Sequence, residues 1–254
     1  MIIAVLNQKG GVGKTTTVIN LASYIAKSGK RVVVVDADPQ GNATSGLGID
    51  KNTITYTLYD GMTRKKSAQD ILTVTAHDNV YILPANAGLA GAEIELASEF
   101  GREGVLKNLL DGLLADVVLI DCPPSLGLLT INALTAANYV LIPVQTEYYA
   151  LEGISQLLQV VQKVQQSINP SLSILGVVMT LVDPRTSLSK QVQRELEQHF
   201  GHLLFHSMIP RNVRLAEAPS HGVPVSEYDK WSKGARAYKS LAKEVLSRLE
   251  RSTV

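Results

Sequence analysis

Cysteine is nearly absent. Cys122 is the single one among 254 residues, which excludes a disulfide framework within the chain and a thiolate metal site built from one subunit. No apolar run approaches the roughly 18 residues that a membrane-spanning helix needs. The opening M-I-I-A-V-L lacks the basic start and the length of a signal peptide, so a cytoplasmic protein is expected. There is no Pro/Gly/Ser-rich linker, repeat or low-complexity tract, and one domain spanning residues 1–254 is expected. A net charge of +1 gives no whole-chain attraction to nucleic acid. It conceals an asymmetry: residues 1–182 hold 12 Lys+Arg against 15 Asp+Glu, and residues 183–254 hold 12 against 8. The last third therefore points to an anionic partner, the alternative being solvated charge on surface helices.

What the chain does have is alternation of short β-branched runs with longer helical ones. Strands are expected at Ile2–Leu6, Arg31–Asp36, Val80–Leu83, Val117–Asp121, Tyr139–Pro143, Ile174–Leu181 and Leu203–Ile209. Runs that are apolar almost throughout suit strands covered on both faces. Helices are expected at Thr15–Ser28, Arg102–Leu114, Leu126–Ala137, Leu151–Ser167, Ser187–Phe200 and Lys233–Arg251, with Gly29 stopping the first. The pattern reads as an α/β fold, a doubly wound and mostly parallel sheet with helices on both faces.

The first strand runs into N-Q-K-G-G-V-G-K-T-T-T, Asn7 to Thr17, and then into a helix. Glycines let successive backbone N–H groups wrap an anion without Cβ clashes, and a helix N-terminus adds partial positive charge. Gly10, Gly11, Val12, Gly13, Lys14, Thr15 and Thr16 form the expected cradle for ATP. Lys14 would reach the β/γ-phosphates, and the Thr15 hydroxyl would ligate Mg²⁺. The strict motif G-x-x-x-x-G-K-[ST] fails at its first position, where Gln8 stands, and a second lysine, Lys9, precedes Lys14 by five residues. Asp121 ends the run V-V-L-I-D, the place of a carboxylate that holds Mg²⁺ directly or through water. Asp36 and Asp38 close the second strand. A carboxylate there would orient the attacking water or touch the metal, and the alternative for Asp38 is a turn or cap before Pro39. Chemistry of this kind is positioning plus charge stabilisation.

K-G-G-V-G-K-T-T resembles the deviant Walker A motif of the ParA/MinD superfamily of P-loop NTPases, in which Lys9 matches the signature lysine. Further stretches narrow the likeness: V-D-A-D-P-Q-G-N-A-T-S-G-L-G at 35–48, L-A-G-A-E-I-E-L at 89–96, I-D-C-P-P-S-L-G-L-L-T-I-N-A-L at 120–134, P-V-Q-T-E-Y-Y-A-L-E-G at 143–153 and I-P-R-N-V-R-L-A-E-A-P-S-H-G at 209–222. Together these are similar to chromosomal or plasmid partition ATPases of the ParA/Soj type, over nearly the whole chain. The resemblance implies a homodimer that sandwiches two ATP molecules. Lys9 would reach across to the partner's nucleotide, Asp38 would support hydrolysis, and Asp121 would act through the metal. It further implies adenine contacts at Pro210 and Asn212, contacts to non-specific DNA at Arg185 and Arg214, a centromere-binding partner of ParB type, and nucleoid association. The chain begins at its first strand, so the N-terminal DNA-binding extension of larger plasmid partition ATPases is not expected.

Three rivals share the phosphate loop. A MinD-like positioning ATPase would bind membrane through a C-terminal amphipathic helix. Ala235, Tyr238, Leu241, Ala242, Val245, Leu246 and Leu249 do recur at helical spacing, but the stripe lacks Trp and Phe and is expected to pack on the sheet. A cluster-carrying ATPase needs several cysteines. An amidotransferring ligase is expected to need a second substrate domain, for which this length leaves no room. His199, His202 and His206 lie close in sequence, but Gly201 interrupts any helix that would align them, and they are not expected to bind metal.

Overall fold

The computed structural model describes residues 1–147 and 150–251, with no side-chain description for 150–152. Tyr148 and Tyr149, inside the P-V-Q-T-E-Y-Y-A-L-E-G stretch, lie outside the described residues. The strands are β1 (Ile2–Val5), β2 (Val32–Asp36), β3 (Thr73–Val74), β4 (Val80–Leu83), β5 (Val117–Asp121), β6 (Tyr139–Gln145) and β7 (Ser173–Thr180). They form one sheet in the order β3-β4-β2-β5-β1-β6-β7. Only the β3–β4 pairing is antiparallel. The helices begin with α1 (Lys14–Ala26), α2 (Asn42–Gly46), α3 (Leu58–Met62), α4 (Ala68–Ile71), α5 (Leu89–Leu96) and α6 (Val105–Leu110). They continue with α7 (Leu128–Ala136), α8 (Ala150–Ser167), α9 (Ser187–Phe200), α10 (Val213–Glu217), α11 (Val225–Tyr228) and α12 (Lys233–Arg251).

The central strands are apolar throughout because both faces are covered. Ile3 and Val5, Val32 and Val34, and Val117 and Leu119 join one buried layer with α1 and α12. Ala4, Val33, Val35, Val118 and Ile120 point the other way, into a layer built on α3 and on α5 to α9. Alternation with a period of two thus fills two cores from one run of residues. Ala235, Tyr238, Leu241, Ala242, Val245 and Leu249 of α12 are all buried in the first layer, so the stripe packs on the protein itself. Tyr238 seats this helix on α1 through a 3.1 Å hydrogen bond between its hydroxyl and that of Thr17. Gly29 takes a left-handed φ of 87° just past α1, the conformation that ends a helix and that glycine adopts without a Cβ clash.

One expected strand does not form. Residues 203–209 touch β7 only through isolated bridges and scattered bonds, such as Phe205 N–H to Val177 O at 2.8 Å and Ile209 N–H to Met179 O at 2.8 Å. Two α12 side chains take the place of a ladder. The Glu244 carboxylate accepts from the backbone N–H groups of His206 and Ser207, and the Arg248 guanidinium donates to the carbonyls of Leu203 and Leu204. The expected helix at 102–114 is shorter, a 3-10 turn at Arg102–Gly104 leading into α6.

Candidate functional site

The phosphate loop leaves β1 under tight control. The Asn7 amide donates to Pro143 O at 2.7 Å, and its carbonyl oxygen accepts from Lys9 N–H at 3.0 Å, turning the chain out of the sheet. Gly11 and Gly13 take φ of 76° and 87°, a region that side chains rarely enter. A Cβ on Gly10 or Gly11 would meet nothing within 4 Å, so the mouth of the loop is open. The Thr180 hydroxyl, at the end of β7, donates to Val12 O at 2.7 Å and anchors the far side. The loop then enters α1, whose first turn carries no acidic residue to offset its partial positive charge. Lys14 is buried at that start, and its ammonium donates to Lys9 O at 3.2 Å. Burial lowers the Lys14 pKa, while Asp121 and Asp38 pull it back up.

Asp36 and Asp121 are register partners at the ends of β2 and β5 and are both fully buried. Their roles differ. Asp36 accepts from the Thr44 hydroxyl at 2.7 Å, Thr44 N–H at 2.8 Å and Asp38 N–H at 3.3 Å, so it fastens α2 to the sheet. Burial pushes its pKa up to about 6 in spite of those bonds. Neither oxygen of Asp121 has a hydrogen-bond partner of normal geometry among the described residues. Burial and then the neighbouring Asp36 charge raise its pKa well above the usual range, against a smaller opposing pull from the Thr15 hydroxyl beside it. A buried carboxylate with no well-formed hydrogen bond among the described residues, next to a hydroxyl and an ammonium, fits a bound cation. Mg²⁺ is ordinarily held by one or two carboxylates together with substrate phosphates, so a single carboxylate suffices. Cys122 is buried beside it, and burial raises its thiol pKa, which keeps it inert.

A cleft of about 350 Å³ opens above these groups, lined by Gly10, Gly11, Gly13, Lys14, Thr15, Thr16, Asp38, Gln40, Asn42 and Pro124. Asp38 makes the turn that the sequence allowed, and it also lines the cleft. Its carboxylate accepts from Gln40 N–H at 2.9 Å, an Asx turn. Lys9 is not part of the lining. Its side chain is 51% exposed on the outer lip and ion-paired to Glu147. Pro210 and Asn212 are also absent from the lining. Asn212 caps α10, its side chain accepting from Arg214 N–H at 3.0 Å, and Pro210 bridges to Val182 just past β7.

That bridge sets the two arginine segments side by side, with Arg211 N–H donating to Val182 O at 3.1 Å. Arg185 is 86% exposed and grips Asp183 with two bonds of 2.9 and 2.7 Å. The pair holds the Asp183 pKa down to about 2. Arg214 lies 2.9 Å from Glu217 and 3.4 Å from Asp229. The structure supplies carboxylate partners for both arginines and for Lys9. Asp183 and Glu217 do stand within three residues of their arginines and were a missed signal. Glu147 lies 138 residues from Lys9. No helix among the described residues is long and apolar enough to cross a membrane.

A family model described as an AAA domain matches residues 1–174. The sporulation initiation inhibitor protein Soj of Bacillus subtilis strain 168 is 54% identical over 246 residues, covering 96% of this chain and 97% of that protein. The chromosome-partitioning ATPase Soj of Treponema pallidum strain Nichols is 49% identical over 245 residues, with 96% of each covered. Among solved structures, a protein named cobyrinic acid a,c-diamide synthase from Mycobacterium smegmatis, with bound ADP and magnesium, superimposes with a TM-score of 0.86. It is 39% identical over 99% of this chain and 96% of that one. That protein has nearly this length, so length does not argue against an amidotransferring ligase as expected above; the higher identities to partition proteins do. Identity near one half along almost the entire chain, over a loop and carboxylates arranged for nucleotide and metal, makes the protein a member of the Soj/ParA family of chromosome-partitioning ATPases, working with ATP and Mg²⁺.

Proposed function

We propose that residues 1–254 act as one ATP-driven switch that dimerises around nucleotide, binds DNA without sequence preference in the dimeric state and releases it on hydrolysis. The observation that carries the reading is the division between the two lysines. Lys14 lines the cleft, while the Lys9 side chain stays out of that lining, half exposed and paired to Glu147. ATP drives such a switch only by binding the dimer more tightly than the open form.

In this reading Lys14 and the backbone of residues 10–16 bind the phosphates, and Lys9 reaches the partner's nucleotide after leaving Glu147. Mg²⁺, held by Thr15 and Asp121, supplies neutralisation of phosphate charge. Asp38 orients the attacking water, and Pro210 and Asn212 close over the base once the dimer forms. Arg185 and Arg214 contact DNA phosphates by exchanging their acidic partners, which costs little because exposed ion pairs contribute only about 0–1 kcal/mol. A centromere-binding protein of ParB type and nucleoid association complete the proposal. The MinD-like alternative loses ground because the apolar stripe of α12 is already buried.

The test is DNA affinity in ATP across a salt series. Phosphate contacts give a log–log slope of roughly −0.9 each, so Arg214→Ala is expected to flatten it by about two units per dimer. Unchanged affinity and slope in both Arg185→Ala and Arg214→Ala would remove these residues from the DNA surface.

A further inference from the structure

We infer that Trp231 and Lys230 extend the DNA-contacting surface beyond Arg185 and Arg214, the indole packing against the sugar wall of a duplex. The inference rests on the DNA reading above. Trp231 is the single tryptophan of the chain and is 77% exposed. An isolated exposed apolar side chain is ordinary. This one is not isolated. One carboxylate joins it to Arg214: the Asp229 Oδ2 atom lies 3.4 Å from Arg214 Nε, and Oδ1 accepts from Trp231 N–H at 3.1 Å. The Lys230 ammonium stands 5.3 Å from the indole centroid. Val213, immediately before Arg214, is 64% exposed. The Val182–Pro210 bridge continues the strip through Arg211 to Arg185.

Charge identifies the occupant. Asp183, Glu217 and Asp229 offset Arg185 and Arg214, whereas Lys230 and Lys233 have no carboxylate within ion-pair distance among the described residues. A cationic strip beside one exposed flat aromatic suits a polyanion held by its backbone, whose phosphates take the cations and whose sugars take the apolar ring without regard to sequence. A membrane would call for a continuous apolar face, and the apolar face of α12 is turned inward.

The experiment is fluorescence, because the protein reports from this one indole. Wild-type protein in ATP and Mg²⁺ is titrated with a short mixed-sequence duplex, and its emission is compared with binding read from a labelled duplex. The emission is expected to change with the same midpoint as binding. Trp231→Ala is expected to bind about tenfold more weakly, the loss expected when roughly 50 Å² of apolar indole contact is removed. Its salt slope should stay that of wild type, since no charge is removed. Trp231→Phe should recover most of the affinity, and the melting temperatures of both variants serve as folding controls. DNA binding with a silent tryptophan and a wild-type Trp231→Ala overturns this inference alone. An emission change on anionic phosphatidylglycerol vesicles and none on DNA also overturns it. If wild type shows no ATP-dependent DNA binding at all, the DNA reading falls with it.

Discussion

Asp121→Asn is expected to stabilise the nucleotide-free protein while abolishing its hydrolysis. The native side chain is fully buried, neither oxygen has a hydrogen-bond partner of normal geometry among the described residues, and its pKa is raised chiefly by burial. Leaving a buried polar group unsatisfied costs about 1–3 kcal/mol, and more when it is charged. Asparagine keeps the shape and stays polar but removes the charge, the costlier part of that penalty, so a gain of about 1–3 kcal/mol follows at neutral pH. For a chain of this size each kcal/mol moves Tm by roughly 2–4 °C, which gives a rise of roughly 2–12 °C.

The pH dependence has a definite sign. A carboxyl whose folded pKa lies above its unfolded value binds more protons when folded, so stability falls as pH rises through the folded pKa. Wild type and variant should therefore melt close together below about pH 4, near the unfolded aspartate value, and diverge above it. Asp36, raised to about 6, adds a downward slope common to both proteins. The assay is calorimetric melting with EDTA from acid to neutral pH, repeated with Mg²⁺ and ATP. Ligand that binds the folded state raises Tm by mass action, and the metal-dependent part of that rise should vanish in the variant. A variant less stable than wild type at neutral pH, or a gap that ignores pH, would refute the account of Asp121 as a charge stored for the metal.

Lys14→Ala is expected to lose ATP binding, since its buried ammonium faces the cleft floor; near-native affinity by titration calorimetry would contradict the phosphate-cradle assignment. Lys9→Ala should keep measurable nucleotide binding and lose ATP-dependent dimerisation, read by light scattering, and normal dimerisation would return Lys9 to a surface residue paired with Glu147. Asp38→Ala should bind ATP, hydrolyse it far more slowly and accumulate a dimer on gel filtration with Mg²⁺. Wild-type turnover would leave Asp38 with only its turn at Gln40.

Elements fixed by local pattern were legible in the sequence to the residue. Strands β4 and β5 and helices α9 and α12 have the expected bounds, because a β-branched run buried on both faces, or a stripe at helical spacing, states its own length. The inward turn of the α12 stripe was also legible. Residues 203–209 have the composition of a strand, but Glu244 and Arg248, some forty residues later, take the backbone groups that a ladder would use. Strand β3 has two residues, and α3, α10 and α11 have four or five, too few for a period to register. At the site, Lys14 and Asp38 line one cleft, and Asp121 lies near enough for its charge to act on Lys14. The long-range partners did not show, since nothing local couples Lys9 to Glu147 or Thr180 to Val12.

The most direct test of the central claim is co-sedimentation of wild-type protein with duplex DNA in ATP, in ADP and without nucleotide, run beside anionic liposomes. A nucleotide-gated DNA switch predicts that the protein pellets with DNA in ATP alone and stays in the supernatant with liposomes throughout. DNA binding indifferent to nucleotide, or pelleting with liposomes in ATP and none with DNA, would contradict it.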